Sequence, residues 1–167
     1  MTIRKIFTYP DPILRKKAEK ITAFDDKLEQ LAADMAETMY DAPGVGLAAN
    51  QIGIAEQIIV VDISEEEDAR DYLTLINPVI SNGEGSIVGD EGCLSVLDYS
   101  TNVKRFEKIH VDAQNIKGEV LSFEAEKRFA RIIQHEVDHL LGVLFIDRIS
   151  SLKRGLYKKK LAKLLKK

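Results

Sequence analysis

Residues 124–142 read EAEKRFARIIQHEVDHLLG and carry two periodic signals at once. The apolar residues Phe129, Ile132, Ile133, Val137 and Leu140 recur at three- and four-residue steps, so a helix is predicted from about Glu124 to Leu141, closed by Gly142. Within it, QHEVDH (134–139) sets two of the chain's three histidines, His135 and His139, four residues apart. Side chains at i and i+4 lie above one another on one helix face, so both imidazoles reach a single metal ion. Glu136 sits between them, displaced around the helix, where it meets a water on the metal without being a ligand. This HExxH arrangement lets the metal acidify water while the carboxylate takes the proton. Histidines that merely hydrogen-bond in a core share the spacing, but nothing in that role requires the glutamate in register.

A catalytic site of this kind needs a third protein ligand. Extending the frame to HExxHxxGxxH gives Gly142 and then Phe145 where a histidine is required, and no glutamate follows Glu136. Upstream, Cys93 stands in EGCLS (91–95) as the only cysteine. One thiolate with two imidazoles is a recognised catalytic set that leaves a position for water or a substrate oxygen, and Gly92 permits a close backbone approach. Cys93 is therefore the expected third ligand. A buried, inert thiol is the alternative for Cys93, and His110 in the strand-like KIHVDAQ is the rival ligand.

Around the helix the pattern changes to β. QIIVVDI (57–63), YLTLINPVI (72–80), NVKRFEKIHVDAQ (102–114) and EVLSFEA (119–125) are rich in strand formers, with turn signals at Asn82-Gly83 and Lys117-Gly118. Between Asp25 and Tyr40, Leu28, Leu31, Ala32, Met35, Ala36 and Met39 mark an amphipathic helix that Pro43 and Gly44 end. A last helix, about 151–165, sets Leu152, Leu156, Leu161, Leu164 and Leu165 on one side and lysines on the other. The expected fold is α+β, with antiparallel sheets packed around the central metal-binding helix, one helix in the N-terminal half and one at the C-terminus.

The 167 residues, 45% hydrophobic and 31% charged, are expected to form one domain over 1–167, with SEEEDARD (64–71) as a surface loop. No apolar run approaches the roughly 18 residues of a membrane helix. The opening MTIRKIFTYPDP lacks the apolar core of a secretory signal. A cytoplasmic protein with no membrane or DNA partner is expected, and a single cysteine excludes an intrachain disulfide. The formal charge of −3 conceals an asymmetry: residues 151–167 hold eight Lys/Arg and no acid, leaving about −11 on the rest. A basic end of this kind suits a polyanion, a solvated helix face being the plainer reading.

PGVGLAANQIG (43–53) contains Gly44-x-Gly46-x-x-Ala49, but it follows a helix and leads to a strand, the reverse of a dinucleotide-binding turn. Low side-chain bulk there lets backbone groups approach an extended ligand, and Gln51 offers an uncharged amide donor for an oxyanion. A glycine-rich structural turn is the alternative.

In order, GVGLAANQIG (44–53), EGCLS (91–95) and QHEVDH (134–139) resemble the peptide deformylase family, and the similarity extends from DPILR (11–15) to the last helix. Members remove the formyl group from the N-terminal formylmethionine of nascent chains. The resemblance implies that Cys93, His135 and His139 hold one divalent ion, natively ferrous iron, with zinc, nickel or cobalt able to take its place. It implies Glu136 as the proton acceptor, and Gln51 with the backbone N–H of Leu94 as partners of the formyl oxygen. Val45, Gly46 and Gly92 are expected to line the substrate groove, with Arg128 and Ile132 beside the methionine side chain. Two positions depart from the family pattern: Arg128 stands where an apolar residue is usual, and Leu97 where proline is usual. The basic helix is then expected to contact ribosomal RNA through Lys153, Arg154, Lys158, Lys159, Lys160, Lys163, Lys166 and Lys167. A zinc endopeptidase and a metal-stabilised binding module are the competing readings.

Overall fold

The computed structural model describes residues 2–166. The elements run α1 (Asp26–Asp41), β1 (Gly46–Ala48), β2 (Ile58–Asp62), β3 (Tyr72–Glu84), β4 (Ile87–Cys93), β5 (Val96–Arg105), β6 (Lys108–Gln114), β7 (Val120–Glu126), α2 (Lys127–Leu140) and α3 (Ser151–Leu165), with three short 3-10 turns. A five-stranded antiparallel sheet has the order β1-β2-β3-β6-β7, and β4 and β5 form a separate two-stranded sheet. The expected α+β architecture is what the chain adopts.

The unbroken apolar run IIVV in β2 reflects a strand covered on both sides. Ile58 and Val60 pack with Leu28, Met35 and Met39 of α1, while Ile59 and Val61 pack with Ala130, Ile133 and Leu140 of α2. Helix α2 therefore lies against the large sheet. A third apolar cluster joins Val96 and Val103 of β5 to Phe145, Tyr157 and Leu161, which seats α3 against the small sheet.

Four expectations are corrected. Helix α2 begins at Lys127, not near Glu124, because residues 124–126 pair with β6, with Ala125 opposite Ile109. Ladder pairing overrides the helix preference of Glu and Ala there. The single run 102–114 is two strands in two sheets. The break falls at Phe106, whose N–H and C=O are both bound by the Gln134 side chain of α2 at 3.1 and 2.9 Å. Asn82-Gly83 is an irregularity within β3 rather than a hairpin turn, and Asn82 takes φ 52° where the register shifts. On α3 the leucines do not share one side: at about 100° per residue, Leu161 faces the core with Tyr157 and is buried, whereas Leu152 and Leu156 lie on the opposite side and are exposed, as is Leu165 at the helix end. Lys167 lies outside the described residues. Among the described residues, no helix is long and apolar enough to cross a membrane.

Candidate metal centre

Helix α2 presents His135 and His139, and the end of β4 delivers Cys93 beside them. One ligand atom from each of the three lies within 4.8 Å of the other two, and Cys93 Sγ is 3.3 Å from His139 Nε2. Ligands at about 2.3 Å (sulfur) and 2.0–2.1 Å (nitrogen) around one ion are separated by distances of this size, so the three residues fit a divalent ion. His110 has no part in it: its Nε2 lies 2.9 Å from Ser122 Oγ on the exposed side of β6 and β7.

The three candidate ligands are themselves held. Glu91 Oε1 sits 2.9 Å from His135 Nδ1, leaving Nε2 to face Cys93 and His139. Such a carboxylate fixes the tautomer and raises ligand basicity. Burial opposes a charge on His135, but the Cys93 sulfur and Glu91 outweigh it and raise its pKa well above the usual histidine value. Burial and the positive charge of His135 push His139 well below that value, which keeps it neutral. The Gln51 amide and the Ser95 N–H both point at the sulfur, at 3.6 and 3.4 Å.

A buried ion network anchors Glu91. Arg105 donates through Nε and Nη2 to Glu91 at 3.0 and 2.8 Å and through Nη1 to Asp138 at 2.6 Å, and Arg148 grips Asp138 from outside. Burial works against ionisation of Glu91, yet His135 and Arg105 hold its pKa down at about 2. Sequence reasoning missed this whole layer. Glu91 stood in the quoted EGCLS, and Asp138 next to His139, but Arg105 carries no local signal. Replacing Glu91 with alanine takes two of the three charge-assisted hydrogen bonds from the buried Arg105 and leaves it with Asp138 alone, so about 3 kcal/mol of stability is expected to be lost by chemical denaturation. Metal affinity is expected to fall about 10–100-fold by competition with a chelator. Because the folded pKa lies below the ordinary 4.5, the carboxylate's stabilisation is complete above 4.5 and fades as pH falls toward about 2. The stabilities of wild type and Glu91→Gln should converge in that interval.

Glu136 is buried beside the candidate ligands, with Oε1 4.0 Å from His135 Nε2, and its Oε2 has no hydrogen-bond partner among the described residues. Burial pushes its pKa up to about 7, against the pull of His135 and Arg105. Gly46 is required beside it, since a Cβ there would stand 2.7 Å from Glu136 Oε1. Gln51 is fully buried, its Oε1 taking the Ala48 N–H at 3.0 Å and its Nε2 reaching Ser95 Oγ at 3.1 Å as well as the sulfur. Phe145, at the place a third histidine would occupy, stacks on the His135 ring with centroids 6.0 Å apart.

These groups open on a cleft of about 460 Å3 lined by Val45, Gly46, Gln51, Gly92, Cys93, Leu94, Arg128, Ile132, His135 and Glu136. His139 lies behind them, 1% exposed. Strand β1 is the free edge of the large sheet on this side, so the glycine-rich segment is an edge strand and not a dinucleotide turn. Opposite it, nothing closer than 3.6 Å opposes a Cβ on Gly92. Arg131, also unforeseen, spans the cleft wall: its Nη2 donates to the Asp90 carbonyl at 3.0 Å, and its guanidinium fills the space of a Gly89 Cβ.

An HExxH helix completed by a cysteine, with a buried carboxylate and an amide donor around an open cleft, defines a metal-dependent hydrolase. The model of the polypeptide deformylase family matches residues 3–155, ending inside α3. A peptide deformylase of Desulfotalea psychrophila is 55% identical over 98% of this chain and 97% of its own length. One from Acidobacterium capsulatum is 48% identical over 98% and 96%. Among solved structures, a peptide deformylase from Legionella pneumophila superposes with a TM-score of 0.91 at 41% identity, covering 99% of this chain and 96% of that one. Another from Thermotoga maritima gives 0.85 at 41% identity, covering 90% and 99%. The chain belongs to the polypeptide deformylase family.

Proposed function

We propose that this chain removes the formyl group from the N-terminal formylmethionine of nascent polypeptides in the cytoplasm, with residues 1–167 acting as one catalytic domain. The observation that carries the reading is the convergence of Cys93, His135 and His139 beside Glu136 and Gln51 in one open cleft. Cys93, His135 and His139 would hold one divalent ion, which would supply Lewis acidity and lower the pKa of the attacking water. One sulfur and two nitrogens suit first-row divalent ions, and the family likeness points to ferrous iron as the native occupant, with zinc, nickel or cobalt as substitutes.

Glu136 accepts a proton from water as the water oxygen attacks the formyl carbon, and returns that proton to the departing amine. Gln51 Nε2 and the Leu94 N–H hold the formyl oxygen while it gains negative charge. The C–N bond breaks, releasing formate and a free α-amine. Gly46 on the edge strand and Gly92 on the opposite wall let the peptide backbone lie close, and Val45 and Ile132 give the methionine side chain an apolar surface. Removing an oxyanion donor typically lowers the rate 10²–10³-fold. Gln51→Ala is expected to show a loss of about that size in kcat, at unchanged metal content.

Arg128, exposed at the rim on the helix face of Ile132, closes the outer end of the side-chain surface. Arg128→Leu is then expected to shift the preference among formylated dipeptides with different first residues by about fivefold or more. Identical preferences would mean that Arg128 only extends to solvent.

The decisive experiment is formate release from formyl-Met-Ala-Ser by anaerobically purified protein, with metal analysis of the same sample. Cleavage of unformylated peptides instead would favour an endopeptidase. The basic residues of α3 dock on ribosomal RNA near the emerging chain. Co-sedimentation with ribosomes should then weaken steeply with salt, and a salt-independent affinity would count against it.

A further inference from the structure

A second cavity, of about 520 Å3, lies against a different face of α2 and shares no residue with the catalytic cleft. Its volume is within the range of about 300–1,000 Å3 usual for small-molecule sites. Phe106 and Leu141 on its wall are 51% and 54% exposed, and Val137 and Ile80 extend the apolar surface. Large apolar side chains left open on a concave surface mark a place for an apolar partner.

The polar groups set the sign of that partner. Lys104, Arg105 and Arg148 line the cavity against one carboxylate, Asp138. Arg105 is spent on Glu91 and Asp138, whereas Arg148 pairs with Asp138 and remains 46% exposed. Lys104 is exposed and takes part in none of the ion pairs among the described residues. A cationic lining is the opposite of the surrounding body, where residues 1–150 carry a formal charge of about −11.

We propose that this cavity is a second ligand site for a small amphipathic carboxylate, with its apolar body on Phe106, Val137 and Leu141 and its anionic head facing Lys104 and Arg148. Anilinonaphthalene sulfonate, an apolar ring system with one anionic group, is the probe. Titrated into the metal-loaded full chain, it should show one saturable class of fluorescent site. Octanoate should displace it about fivefold more tightly than 1-octanol, the upper end of what one exposed ion pair contributes. Lys104→Glu and Leu141→Asp should each weaken the probe about fivefold, whereas Leu156→Asp, which alters the exposed leucines of α3, should not. Retained deformylation shows that each variant is folded, and Phe106→Ser takes the place of Leu141→Asp if that chain does not fold. Unchanged affinity in both cavity variants, equal displacement by octanoate and 1-octanol, or a loss confined to Leu156→Asp overturns the proposal.

Discussion

Cys93→Ala is expected to be purified folded, without its metal and without deformylase activity. The sulfur is the one ligand that does not come from α2, so its loss leaves two imidazoles on a single helix and nothing on the opposite wall. Two neutral nitrogens hold a divalent ion far less firmly than a set that includes a thiolate, whose negative charge offsets that of the ion. The fold has little stake in the side chain, which is small, half-buried and at the end of β4. Metal content per chain should fall from near one to near zero, while the thermal unfolding of the variant matches that of the chelator-treated wild type. Equal metal content with normal formate release would sink the assignment of Cys93.

Glu136→Ala is expected to do the reverse, keeping the metal and losing turnover. General acid–base catalysis by one positioned group contributes about 10²–10⁴ in rate. Loss of kcat should lie in that range with KM little changed, because Glu136 acts on the proton and not on the peptide. Alanine also removes atoms that pack on Gly46, so Glu136→Gln is the sharper variant: it keeps the shape and cannot take a proton. A similar deficit in both variants, at full metal occupancy, assigns the loss to proton transfer. Turnover within tenfold of wild type in Glu136→Gln would refute the role.

The local pattern of one short stretch carried the centre of the molecule. His135, Glu136 and His139 were legible because a helix converts sequence spacing directly into a shared face. Phe145 stands where the extended HExxH frame requires a histidine, which leaves Cys93 as the expected third ligand, and the structure sets its sulfur 3.3 Å from His139 Nε2. Helices α1 and α3 were equally readable, from apolar periodicity in the first and from the run of lysines and leucines in the second.

What the sequence left unsaid depends on residues that meet only after folding. Arg105 lies 14 residues from Glu91 and 33 from Asp138, and no spacing rule connects them. The split of 102–114 into two sheets rests on Gln134 binding both backbone groups of Phe106, an event invisible to strand propensity. Likewise, the start of α2 was decided by β-pairing of Ala125 with Ile109, which outweighs local helix preference. By itself the sequence determined which residue types could hold a metal, the helix that carries two of them and the chemistry such a set would support. Only the tertiary structure decided how His135 is aimed, what neutralises the charges around it and which apolar residues stay uncovered, because burial and long-range pairing, not local spacing, set those energies.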